Sequence, residues 1–261
     1  MKISIIIPAH NEEVRIGKTL DSYTKFFKEK KKNKEIENFE IIVVANACKD
    51  NTVKVVEKFR KKYREIKLLN FELGGKGFAI QEGFKESLQG DSGLIGFVDA
   101  DMATSPENFY DLVKKIGNHD GIIASRYLKG SIVKPKQPFM RLLASRIFNF
   151  IVRSLFLFNF RDTQLGGKIL KKGAVESILP LLSITQWAFD IDLLYNLKKK
   201  GHKIKEHPTI WRDISGSKIN LKKSSIQMLF AVLKLRIVNS RFKNIWRMFR
   251  PLSSMAYRLL R

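Results

Sequence analysis

Apolar residues in the first half of the chain fall into short β-branched runs separated by longer segments of helical period. Residues 3–7 (ISIII), 40–45 (EIIVVA), 66–71 and 94–98 have strand length. The nearly continuous apolar character of the last is that of a strand buried on both faces. Between these runs Val14, Ile16, Leu20 and Tyr23 follow a helical pattern, as do Val53, Val56 and Phe59, and then Ala79, Ile80, Gly83 and Phe84. The alternation continues to about residue 116. It predicts βαβ units and a mostly parallel sheet covered by helices, an α/β fold.

Regularity weakens after Gly121. DGIIASRY reads as a strand, residues 139–160 as one long, very apolar helix, RDTQLGGKILKK as a turn entering a short strand, and residues 186–200 as a helix. HKIKEHPTIWRD reads as extended. From Lys222 onward the pattern is helical, with a break at Pro251. No internal repeat or low-complexity linker interrupts the chain.

In open parallel sheets, ligands bind beyond the carboxyl ends of the strands. Polar clusters at Asn11, Asn46, residues 74–77 and residues 99–101 all follow predicted strands, so they are expected to share one crevice. Asp99 and Asp101 can together hold a hard divalent cation. Mg²⁺ commonly takes one or two carboxylates plus substrate phosphates, and it neutralises a leaving diphosphate. Closing a turn or capping a helix is the plainer role for either aspartate, and Ser105-Pro106-Glu107 just beyond them reads as a helix start. The Gly-rich ELGGKG lacks G-x-x-x-x-G-K-[ST], which excludes a P-loop.

Charge adds a second theme. The 261 residues include 49 Lys+Arg against 25 Asp+Glu, a net charge of +24. Such a surface attracts polyanions. Residues 214–261 hold eleven Lys and Arg and no acid, mixed with Met228, Leu229, Phe230, Ile237, Trp246, Met248 and Phe249. That composition suits interfacial helices on an anionic membrane surface. Packing as core, or as the interface of a homo-oligomer, is the alternative for the tail and for residues 139–160. No stretch of 18 consecutive apolar residues exists, so no transmembrane helix is expected. The N-terminal run breaks at Pro8 without a small-residue cleavage site, so no signal peptide is expected. Cys48 is the single cysteine, in keeping with a reducing compartment. No zinc, helix-turn-helix or RNP pattern occurs, and charge alone gives only non-specific nucleic-acid binding.

Taken in order, these motifs resemble glycosyltransferase family 2, with its GT-A fold, and within it the polyprenyl-phosphate (dolichyl-phosphate) hexosyltransferases. SIIIPAHNEEVRIGKTL is similar to the family's first strand and loop, VVANACKDNT to its VVDDGSxDxT, GGKGFAIQEGF to its GKGxAxxxGF and VDAD to its D-x-D. ASRYLKGS, DTQLGGKIL and WAFDIDLLYNLKKKGHKIKEHPTIW resemble the acceptor-half motifs of that branch. The resemblance runs from about Ile3 to Lys218 and implies a GT-A catalytic domain over residues 1–220; composition, not resemblance, sets residues 221–261 apart as a basic amphipathic extension expected to dock on the membrane.

The resemblance also implies roles. Pro8, Ala9 and Glu12 fall at nucleotide contacts. Asn46 falls where an Asp commonly reads the base, and Ala45 at the preceding acidic position. An amide both donates and accepts whereas a carboxylate only accepts, which leaves uridine against guanosine open. Asp50 remains for nucleotide contact or as the cap of the next helix. Lys76 is placed to reach the nucleotide or its phosphates, or is a solvated turn residue. Asp99 and Asp101 map to the Mg²⁺ or Mn²⁺ site, and Arg126 and Arg141 to the acceptor phosphate, unless they only cap carbonyls. Asp162, Thr163 and Gln164 match a DTQ turn. Arg212 and Lys218 are placed to close over the phosphates, and His207 to approach them. Asp190 falls near the carboxylate of many inverting members, as a base or as an orienting group for Arg126 or the donor sugar.

The implied reaction is inverting transfer of a hexose from a nucleotide sugar, of UDP-glucose or GDP-mannose type, to a polyprenyl phosphate on the cytoplasmic face of a membrane. Asp101, Asp190 and Arg126 form the catalytic set. A phosphate acceptor is already charged near pH 7, so it needs positioning and charge compensation rather than a base. A saccharide hydroxyl acceptor is the alternative, and would make Asp190 an essential base.

Overall fold

The computed structural model describes residues 1–135, 138–183, 186, 188–212 and 221–239. Lys218 and residues 240–261, on which the expectations for phosphate closure and for most of the basic tail fall, lie outside the described residues. In chain order the elements are β1 (Lys2–Ala9), α1 (Ile16–Lys32), β2 (Asn38–Asn46), α2 (Thr52–Lys62), β3 (Ile66–Phe71), α3 (Lys76–Leu88), β4 (Leu94–Phe97) and α4 (Pro106–Lys115). There follow β5 (Gly121–Ser125), β6 (Ile132–Lys134), α5 (Phe139–Phe156), β7 (Lys168–Lys171), α6 (Lys172–Ile178), α7 (Phe189–Lys199), β8 (Ile204–Pro208), β9 (Ile210–Arg212) and α8 (Leu221–Val238).

Seven strands form one sheet in the order β3-β2-β1-β4-β7-β5-β8, and β6 pairs with β9 in a separate ribbon. Within the large sheet, β3, β2, β1 and β4 are mutually parallel, and β5 is parallel to β8. The exception is β7, which runs antiparallel to both of its neighbours, with Phe97 opposite Lys168 and Ile123 opposite Lys168. The short strand predicted after the DTQ turn is thus central.

Period-two alternation distributes the core. Ile5, Ile7, Ile41 and Val43 face one layer with Leu20, Tyr23 and Phe27 of α1 and Phe109 and Leu112 of α4. Ile6, Ile42, Val44 and Phe97 face the other, with Ile80 and Phe84 of α3, Val175 of α6 and Leu193 of α7. Both faces are covered, which is why the central strands are apolar throughout rather than alternating. The Ser105 cap forms as expected: its hydroxyl accepts from Asn108 N, with Pro106 in the first turn of α4.

Two boundaries differ from the sequence pattern. Helix α5 stops at Phe156 because Leu157 takes a left-handed conformation, φ 53°, ending the helix while the apolar pattern continues. The α7 helix starts at Phe189 rather than residue 186. In α8, Val232 and Leu235 are buried in the same core layer as Val152 and Phe156 of α5.

Helix α3 packs closely on β1 at Gly83, where an added Cβ would stand 2.4 Å from Ile6 Cγ2. Exchanging a helical glycine for alanine ordinarily gains up to about 1 kcal/mol. Here the sign reverses. Gly83→Ala is expected to destabilise the protein by about 1–3 kcal/mol, as overpacking does, measured by urea unfolding.

Candidate active site

The crevice opens where the strand order reverses around β1 and β4, and its floor is the loop after β4. Val98 N donates to Ile6 O (3.0 Å), and the chain then turns through Asp99, Ala100 and Asp101. Helix α1 holds this loop from below: Thr19 Oγ1 donates to Ala100 O (2.6 Å) and Tyr23 Oη to Thr104 O (2.8 Å). Asp101 Oδ1 accepts from Ala103 N (2.9 Å), Met102 takes a positive φ of 66°, and Arg212 N at the end of β9 donates to Ala103 O (3.1 Å). The two carboxylates are therefore fixed by backbone geometry before any ligand arrives.

Asp99 is enclosed. Lys76 Nζ lies 2.7 Å from its Oδ1, and a Cβ on Gly166 would come within 2.1 Å of its Oδ2. Glycine at 166 is thus required by the close approach of two chain segments. Burial opposes ionisation of Asp99, but Lys76, then Lys168 and Arg126, outweigh it and hold its pKa below the ordinary aspartate value. Asp101 goes the other way, raised by burial and by the Asp99 charge. Glu12 is also raised, by burial with Asp101 and Asp99 adding, although Arg15 Nε pairs with it at 2.7 Å. Burial disfavours the Lys76 ammonium, yet Asp99, Asp190 and Asp101 hold its pKa above the usual lysine range.

Acidic charge that raises neighbouring pKa values in this way fits a divalent cation. Among the described residues no group of three or more His, Cys, Asp or Glu side chains is arranged to hold one. Asp101 and Asp99 are two carboxylates of the kind that suits Mg²⁺ or Mn²⁺ when phosphate oxygens and water complete the shell.

The β1–β2 end of the crevice is tied together by Asn46, at the end of β2. Its Nδ2 donates to Ala9 O (2.9 Å), and its Oδ1 accepts from Gly75 N (3.0 Å). Gly75 has φ 143°, open to glycine, and precedes Lys76 at the start of α3. Pro8 and Ala9 end β1 beside it. Asp50 Oδ1 accepts from Thr52 N (3.0 Å) and its Oδ2 from Glu13 N (3.1 Å), so it joins the start of α2 to the loop after β1.

The β5 end is organised by a fully buried carboxylate. Asp162 accepts from Arg126 Nε (2.7 Å), Nη2 (2.9 Å) and backbone N (3.0 Å), the bidentate geometry that suits guanidinium. Burial raises the Asp162 pKa, but Arg126 reverses this and leaves it below the ordinary value. Glu206 on β8 accepts from Arg161 N and Asp162 N, fixing the turn. The Arg126 guanidinium lies 5.2 Å from both the Tyr127 and Trp211 rings, and Arg146 of α5 lies 4.6 Å from the Tyr127 ring. Arg141 sits in the first turn of α5 and Gln164 is half-buried in the turn after Asp162.

Two expectations take a different form. Asp190 meets Lys168, Nζ to Oδ1 2.6 Å, and it is Asp162 that orients Arg126. His207 turns away to Asp111 of α4, Nε2 to Oδ2 2.8 Å. Sequence reasoning passed over Lys168, Gly166 and Tyr127. Arg146 was legible only as a basic position, with Arg153, on one side of the apolar helix.

A sequence model described as Glycosyl transferase family 2 matches residues 4–179. A dolichyl-phosphate beta-glucosyltransferase of Dictyostelium discoideum is 35% identical over 243 residues, covering 90% of this chain and 73% of that one. The human protein of the same description is 31% identical over 248 residues, covering 90% and 75%. Among solved structures, glucosyl-3-phosphoglycerate synthase from Mycobacterium tuberculosis, in complex with Mn²⁺, UDP and phosphoglyceric acid, superposes with a TM-score of 0.67 at 16% identity, covering 92% of this chain and 80% of that one. The fold is that of the GT-A glycosyltransferases. The chain belongs to glycosyltransferase family 2.

Asn46→Asp places a carboxylate oxygen against the Ala9 carbonyl in place of an N–H donor. It is expected to cost about 1–3 kcal/mol at neutral pH, measured by urea unfolding. Asp162 generates an acid-sensitive stability. Its lowered folded pKa means the contribution is complete above the unfolded aspartate value near 3.9 and is lost as pH falls through the folded value. Asp162→Asn is expected to flatten the fall in unfolding free energy between about pH 5 and pH 3, followed by urea titrations at each pH.

Proposed function

We propose that this glycosyltransferase moves a glucosyl unit from UDP-glucose to dolichyl or another polyprenyl phosphate at a membrane surface, with inversion at the anomeric carbon. The observation that carries the reading is the pairing of an acidic crevice at the β1/β4 strand ends with an arginine held by Asp162 at the end of β5. The first suits a nucleotide diphosphate, and the second a phosphate acceptor. The curated relatives are described as dolichyl-phosphate beta-glucosyltransferases, and the structural relative binds UDP.

In this reading a lipid phosphate oxygen attacks the anomeric carbon, the bond from that carbon to the diphosphate oxygen breaks, and UDP leaves. The phosphate is already ionised, so no side chain has to remove a proton. Arg126, with Arg141, orients the acceptor and offsets its charge against that of the donor. Pro8, Ala9, Glu12 and Asn46 line the nucleoside end. Lys76, Gln164 and Arg212 serve the phosphates and the sugar, a role expected also of Lys218, which lies outside the described residues. Asp101 and Asp99 would hold a divalent cation, Mg²⁺ or Mn²⁺, whose charge would neutralise the leaving diphosphate.

The acceptor's lipid tail calls for a bilayer, and among the described residues no helix is long and apolar enough to cross one. Helix α5 supplies a surface instead. Phe139, Met140, Ile147 and Phe150 are 73%, 72%, 52% and 69% exposed, and Phe230 of α8 is 55% exposed. Arg141, Arg146 and Arg153 share α5 with them. Exposed aromatic and aliphatic side chains among arginines suit an anionic bilayer surface, such as a cytoplasmic leaflet, where each basic residue adds about 1 kcal/mol.

The test uses full-length protein, a short dolichyl phosphate, Mg²⁺ or Mn²⁺, and UDP-glucose or GDP-mannose. Lipid-dependent release of UDP with formation of a β-linked glucosyl phospholipid is expected. No transfer to any lipid phosphate, or transfer only to sugar hydroxyls, overturns the reading; turnover of GDP-mannose alone overturns the donor. Asp101→Ala is expected to lower kcat by about 100-fold without lowering the unfolding temperature. For the membrane, Phe139→Asp with Phe150→Asp is expected to reduce flotation with phosphatidylcholine/phosphatidylserine vesicles by about tenfold or more. Unchanged flotation removes α5 from the docking surface.

A further inference from the structure

Lys168 is 1% exposed, at the first position of β7. Its ammonium lies 2.6 Å from Asp190 Oδ1 and 2.7 Å from Leu165 O, over the Phe97 ring at 5.5 Å. Asp190 is 4% exposed. Desolvating an ammonium and a carboxylate costs several kcal/mol per ion, and a well-packed apolar pair often serves stability equally well. Stability alone therefore gives little reason for charge here.

The position of the pair supplies a reason. Lys168 grips the turn that carries Gln164, Leu165 and Gly166, and Gly166 is the residue packed against Asp99. Its other partner, Asp190, lies in the first turn of α7, close enough to Lys76 to act on its charge. One ammonium thus joins the wall behind the acidic loop to the helix start that faces the crevice.

We propose that Lys168 is a positioning residue for glycosyl transfer, acting through Asp190 and the Leu165 carbonyl to hold the 164–167 turn and the start of α7 in one arrangement around the reacting groups. The inference rests on the reading of this crevice as the transfer site.

The test compares full-length wild type, Lys168→Met, Asp190→Asn and the double variant for thermal unfolding, UDP binding by calorimetry, and kcat and KM with UDP-glucose and dolichyl phosphate. Lys168→Met is expected to unfold at lower temperature, because it leaves Asp190 buried without its counter-charge, and the double variant to regain most of that loss. In kcat the singles and the double are each expected to fall by about 30- to 100-fold, with donor KM and UDP affinity within about threefold. The double falls no further than the worse single, as for two residues acting as a unit. If the double recovers kcat along with its unfolding temperature, the pair is structural only and the inference fails. It also fails if Lys168→Met retains full kcat, or if the losses of the singles multiply in the double. Should Lys168→Met not fold, the double variant and Asp190→Asn carry the comparison, and full kcat in either overturns the inference. A wild type inactive on every lipid phosphate overturns the functional reading instead.

Discussion

The antiparallel ladder that β7 forms between β4 and β5 is the connection on which the rest of the molecule depends. On one side lie four parallel strands whose ends carry Ala9, Asn46 and the acidic loop; on the other, β5 leads into Arg126 and β8 carries Glu206. Among the described strands, β7 alone pairs with both groups. Because it runs against its neighbours, it begins where they end. Phe97 lies opposite Lys168, so the turn before β7 is delivered to the same edge as Asp99 and Asp101. A parallel strand at that place would present its carboxyl end there and send its entry turn to the far side of the sheet.

That delivery concentrates charge in a desolvated place, and the structure answers by pairing opposites. Asp162 meets Arg126, Asp190 meets Lys168, Asp99 meets Lys76, and Glu12 meets Arg15. Each is a short ion pair at or near the crevice; the first three join separate segments of the chain, and the last is local to the loop before α1. The acidic residues are not equally compensated: Asp101 and Glu12 keep pKa values above the ordinary carboxylate range while Asp99 and Asp162 lie below it. Asp99 and Asp162 each have a cationic partner 2.7 Å away, whereas Asp101 accepts from backbone Ala103 N and feels the Asp99 charge. The net charge of +24 acts at longer range, drawing anionic ligands and surfaces toward the molecule.

Much of this was legible in the sequence, and the reasons for success and failure are physical. The β-branched runs at residues 3–7 and 40–45 had one stable use, as strands covered on both faces, and that use fixed the crevice at their carboxyl ends. Asp99 and Asp101 followed directly. Lys168 did not, because a lysine in KILKK reads as a solvated strand residue. Its burial follows from strand order and direction, which no local pattern encodes. The partnership of Arg126 with Asp162 spans 36 residues and joins the end of β5 to the loop between α5 and β7, so each appeared in the sequence only as a separate polar position. The end of α5 was misjudged because hydrophobicity continues past Leu157 while the backbone changes hand.

Asn46 shows how a departure from a family pattern acquires a physical meaning. The sequence suggested that replacing an acid by an amide bears on the choice of base. In the structure both ends of the amide are committed: Nδ2 reaches Ala9 O, with Val44 O at 3.4 Å, and Oδ1 holds Gly75 N. A carboxylate accepts from Gly75 equally well but has no proton for Ala9. The amide thus clamps the end of β1 to the Gly-rich loop that carries Lys76, whose ammonium in turn closes on Asp99. The Oδ1 atom keeps a second lone pair beyond the one that Gly75 N occupies, so the amide serves the local backbone first and retains one acceptor position.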